Sequence, residues 1–432
     1  MSISKFLIKR TGQYFYYDNS SNGLYDDSMN ALSVPFSEPD GWDDLKHRFG
    51  STIKNKEPAT IKVTLGHACN YSCGYCLQKD IGNPNERPAS GLTPMLIKNI
   101  RRHLDLSQLT RFELWGGETL LYWKDIVTLI EEFDNDNITW YIPTNGTPLS
   151  HKHVDFFMQI KGTVAMGISH DGPGHVSLRG PEFLHKKVDV LKRIDECGGK
   201  IQFSFNPVIS RTNYDLFAIN DFFLEFFDKN RLQHRQLSFE LGRVYDEQQA
   251  VDGTHHAIMG EDLRKYQNVL SRFLNEHIEQ WKTLGETRSG RLLATSLFHT
   301  GMGVLPYART LQQQCQPIIR TNCGVDDSKL LSLDLLGNVK TCQNTDDRFI
   351  GGNLMDIKGI RVKHVNLNRD DHCATCDVRR LCKSSCPLDI GTRTFETNCA
   401  VEKVHYRAIQ QAAFKILFNS DVELVGLVDT DK

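Results

Sequence analysis

The chain has 432 residues, 40% hydrophobic and 24% charged, an ordinary globular balance that excludes disordered, collagen-like and coiled-coil architectures and suffices for one large domain plus a smaller one. A formal net charge of −2 and a pI near 6.8 give no bulk electrostatic case for nucleic acid or an anionic membrane. No stretch approaches the roughly 18 consecutive apolar residues of a membrane span; the N-terminus breaks into charge at Lys9-Arg10 before a signal-peptide core could form, so the expected location is the cytoplasm.

In chain order, residues 1–58 begin with alternation in Lys5-Phe6-Leu7-Ile8-Lys9 and Tyr14-Phe15-Tyr16-Tyr17-Asp18, followed by Asn22-Gly23. That predicts a β-hairpin, read either as a substrate-docking element or as a cover on the next domain. A strand over 61–65 runs directly into Cys69-Asn70-Tyr71-Ser72-Cys73-Gly74-Tyr75-Cys76. A helix is expected from Thr93 as cap and Pro94 as first residue to about 104. Strands over 111–115, 138–142, 163–169, 200–208 and 236–241 then alternate with helices over 120–133, 152–160, 181–196 and 214–227. Six strands alternating with helices imply an α/β fold with a parallel sheet and right-handed crossovers. Residues 243–313 read as mainly helical, clearest over 263–281. Strands around Gly337 predict a β-hairpin over 329–341, and a terminal helix spans 400–417.

Twelve cysteines in a reduced compartment argue against a disulfide framework, and they are too many for scattered buried thiols. Three lie at 69, 73 and 76, one at 197, and eight between 315 and 399, a clustering that reads as metal. Three thiolates in one loop can hold three irons of a cubane cluster, leaving the fourth iron open. A structural zinc site normally takes four protein ligands; here His67 is the only local substitute. Three further motifs fall at strand ends, where active-site loops of such barrels lie. Consecutive glycines in Trp115-Gly116-Gly117-Glu118-Thr119 let backbone approach a ligand, and Glu118 offers a carboxylate to an ammonium group. Pro143-Thr144-Asn145-Gly146-Thr147 follows the third strand, and Ser169-His170-Asp171-Gly172-Pro173, with Arg179 beyond, follows the fourth.

The cysteine loop resembles the C-x3-C-x-aromatic-C signature of the radical S-adenosylmethionine (SAM) superfamily, with Tyr75 as the aromatic residue. That resemblance implies a partial (β/α)6 TIM-type barrel over 59–242. It implies that Cys69, Cys73 and Cys76 carry the catalytic four-iron cluster. It also implies cofactor contacts from Tyr75, Gly116, Gly117, Glu118 (to the amino group of SAM), Thr144, Asn145, Ser169 (to the ribose) and Arg179 (to the carboxylate). The segment leading to Arg179 is about two residues shorter than is usual in the family. His170 replaces a commonly apolar residue and points either into the core or at the substrate.

The C-terminal cysteines resemble the SPASM pattern. Cys323, thirteen residues, Gly337, four residues and Cys342 are followed by Cys373, Cys376, Cys382 and Cys386 at spacings of two, five and three, then Cys399. A zinc ribbon would account for Cys373 and Cys376 but strand the rest. The resemblance implies a SPASM domain over 314–400 with two auxiliary clusters, one on Cys315, Cys323, Cys342 and Cys386, the other on Cys373, Cys376, Cys382 and Cys399. Such interleaving also occurs in two-cluster ferredoxins. With eight thiolates neither auxiliary cluster has an open iron, and both serve as electron carriers or staples. Residues 243–313 form a bridge and 401–432 a helix and tail. Cys197 is read as an ordinary thiol.

The implied chemistry is reductive cleavage of SAM to a 5′-deoxyadenosyl radical, which takes hydrogen from a side chain of a ribosomally made precursor peptide. An electron donor such as flavodoxin or ferredoxin supplies the reducing equivalent. In the sulfatase-maturing branch an aspartate follows the hairpin cysteine; here Gln343 does, with Asp346 and Asp347 further on. Cyclophane or darobactin-type cross-linking, forming a C–C or ether bond, is the leading expectation. Thioether formation, pyrroloquinoline-quinone-type cross-linking and sulfatase maturation stay open. A non-catalytic iron–sulfur carrier would not need Gly116-Gly117-Glu118 or a barrel, and would release no 5′-deoxyadenosine.

Overall fold

A computed structural model of the chain describes residues 3–19, 22–32, 49–78, 81, 85, 91–242, 256–284, 295–299, 303–312, 321, 323–345, 350–365, 373, 376–383, 386 and 394–428. Cys315, Asp346 and Asp347 lie outside the described residues.

The strands are β1 (Ile3–Ile8), β2 (Gln13–Asp18), β3 (Gly23–Tyr25), β4 (Phe49–Ile53), β5 (Thr60–Thr64), β6 (Arg111–Trp115), β7 (Thr139–Thr144), β8 (Thr163–Ile168), β9 (Ile201–Phe205), β10 (Val208–Ile209), β11 (Glu240–Leu241), β12 (Leu330–Asp334), β13 (Asn338–Lys340), β14 (Ile350–Asn353), β15 (Arg361–Val365) and β16 (Val422–Val428). The first helices are α1 (Leu92–His103), α2 (Trp123–Phe133), α3 (His151–Gln159), α4 (His175–Leu178), α5 (Val188–Asp195) and α6 (Leu216–Asn230). Two long helices follow, Glu261–Leu284 and Phe395–Phe418.

Strands β5 to β9 lie side by side in chain order, all parallel, as helical crossovers require. Their inward side chains explain the packing. Ile61, Val63, Phe112, Leu114, Trp140 and Ile142 are all fully buried, and the Phe112 ring stacks on Trp140 at 4.8 Å. The expected sixth strand is shorter than 236–241. Leu237 makes a single parallel bridge to Phe205, and only Glu240 and Leu241 pair with Val208 and Ile209. Asn206 and Pro207 interrupt the fifth strand between β9 and β10, and proline cannot donate to a ladder.

The opposite edge of the sheet is extended instead. β12 lies parallel to β5, Leu331 beside Ile61 and Leu333 beside Val63, giving the order β14-β13-β12-β5-β6-β7-β8-β9. The expected hairpin around Gly337, whose φ is 80, is β12–β13 with Leu333 opposite Val339. The C-terminal hairpin thus continues the barrel sheet, which sets Cys323 and Cys342 beside the loop that leaves β5.

Helix boundaries differ in two places. Thr93 does not cap α1: the N-cap is Gly91, and the Thr93 hydroxyl donates to Asp125 at 2.6 Å, tying α1 to α2. The helix expected over 181–196 is divided into a turn at Leu184–Lys186 and α5, because Glu182 accepts hydrogen bonds from the Phe183 and Leu184 amides and holds the chain out of helix. The N-terminal hairpin joins the C-terminus, not the barrel. β1 pairs with both β2 and β16, and Phe6 and Phe15 pack edge-on against Phe414 of the helix Phe395–Phe418. No described helix is long and apolar enough to cross a membrane.

Candidate active site

β5 ends at Thr64 and the chain turns through Gly66 at φ 147 into the loop bearing Cys69, Cys73 and Cys76. This loop rests on the end of β6. Gly117 N–H donates to Gly66 O at 3.0 Å, Glu118 N–H to Ala68 O at 2.8 Å, and Ala68 N–H to the Tyr122 hydroxyl at 2.7 Å. A Cβ on Gly117 would stand 2.3 Å from His67 O and 2.6 Å from Ala68 O. Two backbones cross there at contact, so no side chain fits at 117.

Glu118 is turned away from the loop's open face. It is 1% exposed; Oε1 accepts from Leu120 N–H at 2.9 Å and the Thr144 hydroxyl at 2.6 Å, while Oε2 accepts from Asn145 N–H. Burial raises its pKa, and those hydrogen bonds oppose the rise. The carboxylate joins the end of β6 to the end of β7. Asn145 carries the tie onward, its amide donating to Asn70 Oδ1 at 2.7 Å in the cysteine loop.

On the other side of the loop, Asp171 is fully buried. Arg179 grips it with both arms, Nε to Oδ2 at 2.9 Å and Nη2 to Oδ1 at 3.1 Å, and the Tyr75 hydroxyl donates to Oδ2. The Arg179 fork expected to meet a cofactor carboxylate therefore holds a carboxylate of the chain itself. His170 points into the core. Its ring stacks on His175 at 3.9 Å, Nδ1 accepts from Gly172 N–H, and Nε2 lies 3.0 Å from Glu182.

One cavity of about 880 Å3 collects the loop, the strand ends and the C-terminal domain. Cys69, Cys73 and Cys76 line it with Tyr75, Gly116, Gly117, Thr144, Asn145, Ser169 and Arg179. Cys323, Cys342 and Cys386 line the same cavity, and the Gln78 amide links the two sides by donating to Asn344 Oδ1 at 3.0 Å. Burial pushes the Cys73 thiol up to about 12 and the Cys342 thiol to about 11, with neighbouring thiolates adding to both; for Cys342 these are Cys323 and Cys386. Such thiols give up their protons when a metal binds. Cys376 and Cys399 form a separate pair away from the cavity, each near Lys403. Cys373 is buried and Cys382 partly so. Cys197 is buried and its thiol donates to Arg193 O at 3.0 Å. Among the described residues no three His, Cys, Asp or Glu side chains close around a single metal ion. A cubane spaces its thiolates around four irons, so three cysteines opening onto a roomy shared cavity suit that donor geometry.

The sequence reading missed one wall. Glu402, His405, Tyr406 and Ile409 of the helix Phe395–Phe418 line the cavity, and His405 Nδ1 lies 2.7 Å from the hydroxyl of buried Tyr266. Their i, i+3, i+4, i+7 spacing marks one helix face, a signal visible in the sequence but lacking any companion motif.

The partial parallel barrel, the cysteine loop leaving its first strand and the cysteine-bearing hairpin added beside that strand make up the fold that was compared with known proteins. No family model matches the chain. It is 19% identical over 371 residues to the radical SAM cyclopropyl synthase TigE of Paramaledivibacter caminithermalis, spanning 79% of this chain and 70% of that protein. A stretch of 182 residues is 26% identical to an S-adenosylmethionine-dependent nucleotide dehydratase of Psychrobacter lutiphocae, over 37% of this chain and 59% of the relative. The structure of anSMEcpe with bound AdoMet and Cp18Cys peptide superposes with a TM-score of 0.59 at 17% identity, over 83% of this chain and 98% of the other. At that identity the superposition establishes the fold.

Proposed function

We propose that the chain is a radical SAM maturase that oxidises a side chain of a ribosomally made precursor peptide. The observation that carries this reading is the shared cavity, onto which Cys69, Cys73 and Cys76 open from one side and Cys323, Cys342 and Cys386 from the other. Cys69, Cys73 and Cys76 would hold the cluster that binds SAM; Cys315, Cys323, Cys342 and Cys386 would hold one auxiliary cluster, and Cys373, Cys376, Cys382 and Cys399 a second. The bound groups would supply one-electron cleavage of SAM and a radical able to take hydrogen from an unactivated C–H bond.

The chain's own residues do the rest. Gly116 and Gly117 bring bare backbone to the cavity wall, where main-chain groups can meet the amino end of SAM. Thr144, Asn145 and Ser169 add polar contacts from the next two strand ends, and Tyr75 offers a ring. Glu402, His405 and Tyr406 line the same cavity and would face a peptide bound there. The bound peptide in the anSMEcpe structure supports a peptide substrate, and TigE, a radical SAM cyclopropyl synthase, supports the radical SAM chemistry. We assign residues 59–242 to the SAM barrel, 243–313 to the bridge, 314–400 to the auxiliary-cluster domain, and the reducing electron to a flavodoxin or ferredoxin.

Gln343, not an aspartate, lines the cavity beside Cys342, which favours cross-linking over side-chain oxidation to an aldehyde. Co-expression with each short reading frame beside its gene, followed by mass spectrometry, tests this. Loss of two hydrogens that fragmentation places across two joined residues, with no carbonyl trapped by a hydrazide reagent, supports a cross-link. Conversion of a cysteine or serine to an aldehyde overturns that choice.

A further inference from the structure

Asp171 is not among the expected cofactor contacts, yet its side chain gathers several donors beside the cavity. A fully buried carboxylate must be compensated by donors, and here four converge. They are the Tyr75 hydroxyl, Arg179 Nε and Nη2, and Val208 N–H at 2.9 Å. Its main-chain oxygen accepts from Asn213 Nδ2 at 3.0 Å. The Arg179 guanidinium also lies over the Tyr75 ring, 5.2 Å from its centre. Tyr75 belongs to the cysteine loop between Cys73 and Cys76, Arg179 follows α4, and Val208 opens β10. One carboxylate therefore joins the cysteine loop to two strand ends.

Tyr75 and Arg179 line the cavity, whereas Asp171 is not among its lining residues. We infer that Asp171 is a positioning residue for SAM, fixing the Tyr75 ring and the Arg179 guanidinium together before the cofactor arrives. It keeps the guanidinium plane fixed and its charge compensated in a buried site, while the N–H groups not turned to Asp171 remain for the cavity. A bidentate carboxylate fork is the strongest available restraint on an arginine, and a preformed contact set binds more tightly than one that must be ordered on binding. This inference rests on the proposal that the cavity binds SAM.

The test uses cluster-loaded, anaerobic protein and SAM as the probe. SAM affinity is measured by calorimetry, and the change in the reduced cluster's EPR spectrum on adding SAM is recorded alongside. Asp171→Asn is expected to weaken SAM roughly tenfold or more and to shrink the SAM-induced EPR change, with iron content unchanged. Simple loss of stability would not move that spectral response in the remaining folded protein. Tyr75→Phe removes one donor without leaving a buried cation, and should weaken SAM by a smaller factor. The double variant should fall short of the product of the single effects, because both act through one network. If Asp171→Asn does not fold, Tyr75→Phe decides alone. Wild-type SAM affinity in Tyr75→Phe, or wild-type or tighter affinity in Asp171→Asn, overturns the inference. Tighter binding would mean that Asp171 competes with SAM for Arg179. A loaded wild-type protein that binds no SAM overturns the functional proposal and this inference with it.

Discussion

Replacing Glu118 by alanine separates two roles for a residue that the sequence motif and the structure place differently. A carboxylate facing the SAM ammonium would lose affinity on truncation and little else. In the structure the side chain accepts from Leu120 N–H, the Thr144 hydroxyl and Asn145 N–H and is 1% exposed. Each charge-assisted bond is worth about 1.5–3 kcal/mol. The three are not additive, and removing the carboxylate also relieves its own burial penalty. The expected net loss for Glu118→Ala is therefore about 2–5 kcal/mol, chiefly from the Leu120 and Asn145 amides left without an acceptor at about 1–3 kcal/mol each. Glu118→Gln keeps the shape but turns an amide N–H toward a donor, and should lose about 1–3 kcal/mol. Urea unfolding under anaerobic reducing conditions gives the stabilities, and amide hydrogen exchange at Leu120 and Asn145 reports the turn directly. Stability within about 1 kcal/mol of wild type, with SAM affinity down about tenfold, would refute the clamp and return Glu118 to the cofactor.

Two further outcomes follow from buried polar contacts. Tyr266→Phe removes the hydroxyl beside His405 Nδ1 and should destabilise the chain by about 1–3 kcal/mol in urea unfolding, the penalty for an unsatisfied buried group; no change would mean that the two rings are not coupled. His175 is fully buried, neither ring nitrogen has a hydrogen-bond partner among the described residues, and burial, aided by His170, lowers its pKa to about 4. Between about pH 6.5 and that value the unfolded chain binds a proton that the folded chain does not, so stability falls as pH drops through the window. His175→Phe should narrow the difference in urea midpoint between about pH 7.5 and about pH 5, and an unchanged difference would show that His175 already titrates in the fold.

How legible the structure was depended on whether a contact leaves a local signature. The cysteine loop, the parallel strands and the hairpin at Gly337 each carry a spacing or period that can be read within a few residues. The pairing of β1 with β16 joins Ile3 to Val428, and nothing local to either end encodes that partner. The segment Val422-Glu423-Leu424-Val425 carries a strand signal of its own but no mark of the partner it pairs with. The insertion of β12 beside β5 has the same character, since the hairpin was legible and its neighbour was not. At the site, residue types were legible and orientations were not. A glutamate after two glycines and an arginine after an aspartate both invite a ligand. Thr144 and Asn145 at the end of β7, and Asp171 after β8, claim those side chains first, through contacts spanning 26 and 8 residues. The face of Glu402, His405 and Tyr406 was readable as a helical stripe, but only the fold turns it toward the cysteines.

The central claim is that Cys69, Cys73 and Cys76 hold a cluster that cleaves SAM reductively. It is tested most directly by measuring 5′-deoxyadenosine from anaerobically reconstituted, dithionite-reduced protein supplied with SAM. The same assay is run on a variant with all three cysteines replaced by alanine. The account predicts that the wild-type chain forms 5′-deoxyadenosine and methionine in equal amounts, and that the triple variant forms neither while losing roughly four irons per chain. No 5′-deoxyadenosine from fully loaded wild-type protein, or equal amounts from the triple variant, would contradict it.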